Sequence, residues 1–122
     1  MTQARALLFA AATFLSLVSP SWATSEEADR EIQYLLEFVA TSGCGFERNG
    51  SVHDPADAAH HLRLKYSRGG RYVDTAEDFI DRLASESSWT GKDYTVECDG
   101  LETPTGTWLH EALDQYRNNP DS

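Results

Sequence analysis

FERNGSVHDPADAAHHL, residues 46–62, runs from a predicted β-hairpin straight into a predicted helix. Asn49-Gly50 separates two short arms, and this dipeptide is typical of a two-residue hairpin turn. Asp54-Pro55 then begins a helix, with aspartate as the N-cap and proline at the first helical position. A hairpin followed at once by a helix predicts an α+β domain.

Working outward, apolar residues at helical spacing predict three more helices. The first helix ends at Ser42-Gly43 and the helix after the hairpin ends at Gly69-Gly70. The third begins near Asp74-Thr75, where Asp74 and Glu77 have the spacing of a capping box. The last helix follows a break at Thr103-Pro104, and its inner stripe is Trp108, Leu109, Ala112, Leu113 and Tyr116.

One more strand is predicted from Tyr94 to Cys98, where residues alternate in polarity. The full expectation is therefore an α+β fold in which about four helices pack on a small antiparallel sheet. That sheet consists of the hairpin plus this one strand.

The N-terminal residues 1–23 have the layout of a secretory signal peptide. Arg5 precedes a run of apolar and small residues over 6–18, Pro20 follows and breaks it, and Ser21-Trp22-Ala23 places small side chains at the two positions that signal peptidase inspects. Cleavage would leave residues 24–122 as a single small domain in an oxidising extracytoplasmic compartment. Thr24, rather than a cysteine, follows the predicted cut, so we expect no lipid anchor.

Two cysteines, Cys44 and Cys98, are the whole thiol content of the chain. In an exported protein of this size we expect them to form a disulfide, because the compartment oxidises exposed thiols and a small core gains from a cross-link. The alternative is two free thiols, one of them a nucleophile.

The chain is strongly acidic, with a formal net charge of −10. Removal of the leader removes Arg5 and leaves 9 basic and 20 acidic side chains, a charge of −11. This surplus argues against nucleic acid and against anionic membrane surfaces as partners. It suits a cationic envelope protein as a partner, although solubility alone would also account for it.

Five blocks of the chain, taken together, resemble the YfeK-like family of small exported bacterial proteins, a domain of unknown function. The blocks are EIQYLL at 31–36, FERNG at 46–50, HLRLK at 61–65, DTAEDFI at 74–80 and SSWTGKDY at 87–94. The resemblance implies a periplasmic location in a Gram-negative bacterium and supplies no catalytic residues. Asp93 departs from the proline that the family pattern leads us to expect.

The basic cluster of the second predicted helix stands out in an acidic chain. Its members are His60, His61, Arg63, Lys65, Arg68 and Arg71. It could receive a carboxylate or a phosphate-bearing ligand. We favour a structural interpretation, because cations near the end of a helix complement its dipole.

Candidate catalytic and metal sites are weak. Ser87 and Ser88 follow a helix without the Gly-x-Ser-x-Gly pattern of a nucleophile elbow. The carboxylate-histidine pairs Asp57/His61 and His110/Asp114 are better explained as ion pairs on helix surfaces than as metal ligands. We therefore expect no catalytic residue, no metal and no cofactor.

The loop Thr90-Gly91-Lys92-Asp93-Tyr94 resembles the Ser-Gly-x-x-Tyr element of small periplasmic lysozyme inhibitors. Thr90, Gly91 and Tyr94 could enter the acidic cleft of a cationic wall-degrading enzyme, and the adjacent Trp89 could anchor a partner. The structural alternative is a turn that leads Tyr94 into a strand lining the core.

These observations together predict a non-catalytic, monomeric or weakly associating periplasmic protein with a binding or accessory role and an unknown ligand. An inhibitor of a lysozyme-like enzyme is the second interpretation. A small serine hydrolase built on Ser87 or Ser88 with a histidine is the third and least favoured.

Overall fold

The computed structural model of the protein describes residues 24–119. The predicted signal peptide, residues 1–23, lies outside the described residues, as do residues 120–122. In chain order the main elements are α1 Glu26–Thr41, β1 Gly45–Arg48, β2 Ser51–His53, α2 Pro55–Gly69, α3 Ala76–Asp78, β3 Thr95–Cys98, β4 Leu101–Pro104 and α4 Thr105–Asn118. The predicted α+β class is confirmed.

The helices begin where the local signals place them, with one shift. Asp54 caps α2 by accepting a hydrogen bond from the amide of Asp57, and Ser25 caps α1. In the third helix the cap is Thr75, not Asp74, and Thr75 accepts from the amide of Asp78. The Asp78 carboxylate in turn accepts from the amide of Asp74, so the predicted capping residue is displaced by one position. The helix then continues as a wider π-helical segment, Phe79–Ala84.

The sheet has one strand more than the sequence analysis predicted. Its order is β2-β1-β3-β4, and every neighbouring pair is antiparallel. Asn49-Gly50 and Asp99-Gly100 both have positive φ at each of their two residues, the backbone of a tight two-residue hairpin turn. The second hairpin creates β4, in a stretch that the sequence analysis treated as a break before the last helix. Pro104 is tolerated there because β4 is an edge strand.

A cross-strand disulfide joins the two central strands. Gly45 of β1 lies opposite Glu97 of β3, and this register places Cys44 opposite Cys98. Their Cα atoms are 4.7 Å apart and the sulfurs are bonded, so the predicted pairing is confirmed and the free-thiol alternative is wrong. The bridge ties the start of the first hairpin to the end of β3.

The core lies between one face of the sheet and the helices. Phe46 and Val96 are opposite each other in adjacent strands, and both are buried. The helical part of the core is formed by fully buried aliphatic and aromatic side chains, among them Ile32, Leu35, Leu62, Phe79, Ile80 and Leu109. Burial of these side chains is the main favourable term in folding.

Arg117 of α4 connects this helix to α1 and α3. Its guanidinium donates two hydrogen bonds to the carboxylate of Glu31 in α1, at 2.6 and 2.9 Å, and also forms an ion pair with Glu77 of α3. Glu31 is buried, so the bidentate pairing supplies the hydrogen bonds that its carboxylate needs there. No helix within residues 24–119 is both long enough and apolar enough to cross a bilayer.

Candidate anion-binding site

A cavity of about 750 Å³ lies between the first hairpin, α2 and the segment 87–94. We call it the basic pocket, because its lining contains five basic side chains and no aspartate or glutamate. The five are Arg48, His53, His61, Lys65 and Arg68. Tyr72, Trp89 and Tyr94 supply aromatic surface to the same lining. The three arginine and lysine side chains, Arg48, Lys65 and Arg68, form a concentration of positive charge in a chain of net charge −10, and this requires a specific explanation.

Three elements bring the polar floor of the pocket together. Arg48 is the last residue of β1, next to the hairpin turn. His61 and Lys65 are four residues apart in α2, so both side chains project from the same face of the helix. Tyr94 directly precedes β3. These residues are far apart in the chain, and only the packing of α2 against the sheet places them side by side.

His61 is held between Arg48 and Tyr94. The Arg48 guanidinium contacts His61 Nδ1, and His61 Nε2 lies 3.2 Å from the Tyr94 hydroxyl. A guanidinium can only donate, so Nδ1 accepts and the ring proton resides on Nε2. Burial, the largest cause, and the nearby charges of Arg48 and Lys65 together lower the pKa of His61 to about 4. The imidazole is therefore neutral at pH 7 and acts as a spacer between a cation and a phenol.

Lys65 provides the ammonium group of the pocket floor. Its Nζ donates to the Tyr94 hydroxyl at 3.1 Å and to the Glu86 carbonyl oxygen at 2.9 Å. Burial, the largest cause, lowers the pKa of Lys65, the negative charge of Glu86 opposes this shift, and the positive charge of Arg48 adds to it; the net value is about 8. At pH 7 the amine is still mostly protonated.

The cations of the pocket lack carboxylate partners. Within residues 24–119 no carboxylate lies at ion-pair distance from Arg48, Lys65 or Arg68. Two other members of the predicted basic cluster behave differently. Arg63 pairs with Glu37, and the Arg71 guanidinium lies over the ring of Tyr72. The structural interpretation that the sequence favoured suits Arg68, which lies in the last turn of α2, but it does not explain why Lys65 and Arg68 line the same carboxylate-free cavity.

The segment that carries Trp89 is fastened to the first hairpin turn. Ser87 Oγ accepts hydrogen bonds from the side chain of Asn49 and from the amides of Trp89 and Thr90, at 3.2 to 3.3 Å. The Thr90 hydroxyl donates to the Asn49 side-chain oxygen at 2.7 Å. These bonds hold the Trp89 backbone at the pocket rim, while its side chain is 94% exposed.

The four predicted partner-binding residues differ in their exposure to solvent. Trp89, Thr90 and Gly91 are exposed, whereas Tyr94 is only 2% exposed and packs against Phe46 with ring centroids 5.1 Å apart. The phenol of Tyr94 is not available to enter the cleft of an enzyme from an exposed loop. The structural alternative, in which the turn leads Tyr94 into the core, describes its position.

The hydrolase interpretation finds no general base in this geometry. Ser87 Oγ accepts from the three donors named above, and both ring nitrogens of His61 contact Arg48 and Tyr94 rather than a serine. Among the described hydrogen bonds, no histidine nitrogen contacts Ser87 or Ser88. His110 contacts Asp81 rather than Asp114, and His61 contacts no carboxylate, so the two predicted helix-surface pairs do not form.

Metal ligation was also a candidate function. Over residues 24–119, no three histidine, cysteine, aspartate or glutamate side chains are grouped so that they could hold a metal ion. The absence of a cofactor remains a prediction from the sequence.

Comparison with known proteins supplies the relationship. Residues 26–117 match the model of a family of unknown function, DUF5329. The chain belongs to this family. It is also 42% identical over 82 residues to the uncharacterized protein YfeK of Salmonella typhimurium strain LT2, an alignment that covers 66% of this chain and 68% of the Salmonella protein. No solved structure matches the chain.

The YfeK-like resemblance predicted from the sequence is confirmed by these matches. Every residue that lines the basic pocket lies inside the DUF5329 match. Sequence reasoning missed the contribution of Arg48, which was noted only as part of a hairpin arm. The sequence does offer one signal for Arg48. This residue directly precedes the Asn49-Gly50 turn, at the end of β1 that is farther from Cys44.

Proposed function

We propose that this DUF5329 protein is a non-catalytic binding protein of the cell envelope whose basic pocket takes a small ligand bearing a carboxylate or a phosphate. The observation that carries the proposal is the convergence of Arg48, Lys65 and Arg68 on one cavity whose lining contains no carboxylate. Charged donors in a partly desolvated cavity bind oxyanions more strongly than the same groups do at an open surface.

Two features support an envelope location. The signal-peptide pattern of residues 1–23 predicts export to the periplasm, and a disulfide persists in that compartment. The acidic surface keeps the protein soluble and repels anions at long range. Selection of an anion must therefore depend on direct contacts inside the pocket.

A direct test is the binding of sulfate, measured by isothermal titration calorimetry on the wild-type protein and on Lys65→Met and Arg48→Gln variants. Each substitution removes a charged donor, so we expect affinity to fall by roughly tenfold or more. Arg63→Gln is the matched control, because Arg63 also belongs to α2 but pairs with Glu37 outside the pocket. Equal losses in all three variants, or no saturable binding by the wild type, would refute the proposal.

The same measurement should depend on pH in a defined direction. The protonated form of Lys65 binds the anion, so affinity should be highest below its pKa of about 8 and should fall as the pH rises through that value. Sulfate keeps its charge over this range, and His61, with a pKa of about 4, stays neutral. We expect roughly a tenfold loss between about pH 7 and about pH 9.5. Lys65→Met should abolish the dependence, and an unchanged wild-type affinity at both pH values would contradict the assignment.

A further inference from the structure

Trp89 is the most exposed large apolar side chain in the described part of the chain. Its side chain is 94% exposed, although an indole is among the side chains that gain most from burial. The protein fold does not use this surface. A large exposed aromatic group at the edge of a cavity is typical of a binding site, where a bound ligand or partner covers the group.

The segment around Trp89 holds its backbone in place. Its own amide and that of Thr90 donate to Ser87 Oγ, the amide of Gly91 donates to the Ser87 carbonyl oxygen, and Asn49 joins the segment to the hairpin turn. A backbone already held in position loses little further conformational freedom when its side chain binds a ligand. The indole is therefore attached to an ordered segment at the pocket rim.

We infer that the ligand of the basic pocket is an acidic sugar, whose carboxylate or phosphate contacts Lys65 and Arg48 while its ring packs against Trp89. This inference rests on the proposed function, since it assumes that the pocket binds an anion. The ring of the sugar is a second element for recognition, and an acidic sugar combines such a ring with an anionic group.

The size and the rim chemistry of the pocket favour a sugar. A volume of about 750 Å³ is far more than an inorganic anion fills, and it lies within the usual range for small-molecule sites. Ser51, Ser88 and His53 belong to the lining and offer groups that both donate and accept hydrogen bonds. Sugar hydroxyls have the same dual character, and the flat C–H face of a pyranose ring suits one exposed indole.

The test uses probes that share the same anionic group. Inorganic phosphate is compared with glucose 6-phosphate, acetate with glucuronate, and glucose serves as the uncharged ring, all by calorimetry on the mature protein. We expect each acidic sugar to bind at least tenfold more tightly than its matched anion, and glucose alone to bind weakly. Trp89→Ala should remove that gain and leave the affinity for inorganic phosphate unchanged.

Leu101→Ala is the matched control, because Leu101 is also a strongly exposed apolar side chain but lies on β4, outside the pocket lining. The control should bind every probe as the wild type does. Adenosine monophosphate provides the competing ring. Tighter binding of this nucleotide than of glucose 6-phosphate would overturn the sugar assignment.

The outcomes separate this inference from the proposed function. If inorganic phosphate binds as tightly as glucose 6-phosphate and Trp89→Ala changes neither, the sugar inference is refuted while anion binding stands. If no anionic probe binds, the proposed function fails and the inference fails with it. Loss of phosphate binding in Trp89→Ala would also refute the inference that Lys65 and Arg48 bind the anionic group while Trp89 contacts only the ring.

Discussion

Replacement of both Cys44 and Cys98 by alanine is expected to lower the free energy of unfolding by about 4 kcal/mol in the loop-entropy description. The bridge joins residues separated by 54 positions, so it removes much of the freedom of the unfolded chain. It also connects the start of β1 to the end of β3, the two central strands, and so adds a covalent link to the pairing of the two hairpins. For a domain of this size the midpoint of thermal unfolding should fall by roughly 16 °C or more.

Urea unfolding followed by circular dichroism measures the effect. Addition of a thiol reductant to the wild type should reproduce most of the loss and should have no effect on the double variant. This comparison separates the covalent link from the packing of the two side chains. A loss below about 1 kcal/mol would contradict a structural role for the bridge.

Replacement of Tyr94 by alanine is expected to cost about 3–5 kcal/mol, the usual range for removing a large buried ring. Tyr94 is 2% exposed and packs against Phe46, so its ring belongs to the core even though its hydroxyl belongs to the pocket floor. Truncation would leave a cavity beneath Lys65 and His61. Differential scanning calorimetry of the purified variant gives the measurement.

Tyr94→Phe separates the two roles of this residue. It keeps the packed ring and removes the hydroxyl, which accepts a hydrogen bond from Lys65 and contacts His61 Nε2. Lys65 keeps its other hydrogen bond, to the Glu86 carbonyl oxygen. The expected cost is about 1–2 kcal/mol, clearly less than that of the alanine variant. Tyr72→Ala, at a 57% exposed aromatic position of the same pocket, should cost less than about 1 kcal/mol. Equal losses in all three variants would show that the Tyr94 ring is not part of the core.

The contrast between an acidic surface and a basic pocket is the main electrostatic feature of the molecule. The lowered pKa of Lys65, to about 8, reflects the burial of an ammonium group that lacks a carboxylate partner at ion-pair distance. A bound oxyanion would supply that missing partner and would raise the pKa of the amine. Binding and protonation of Lys65 are therefore thermodynamically linked in the proposed function.

Local signals predicted the elements that depend on adjacent residues. Asp54-Pro55 and Asn49-Gly50 specify a helix start and a turn through their own backbone chemistry, and both were read correctly. Asp99-Gly100 carries the same turn signal, followed by four residues before the last helix, but the sequence analysis predicts no strand there. The missing β4 strand was thus available in the sequence.

The basic pocket could not be predicted from local sequence signals, and the reason is physical. His61 and Lys65 share a helix face by spacing alone, but the sequence does not show whether that face meets the sheet or the solvent. Arg48 and Tyr94 join them only because β1 and β3 are neighbours in the sheet. The position of Tyr94, exposed loop or core, was left open for the same reason.

By itself the sequence determined the α+β class, the family resemblance, most element boundaries and the cysteine pair, since these follow from short-range patterns and from the presence of only two thiols. The tertiary structure alone decided which cations converge, which of them lack carboxylate partners, and that the Trp89 side chain stays exposed while Tyr94 is buried. The reason is that burial and charge pairing arise from contacts between elements distant in the chain, which no local pattern encodes.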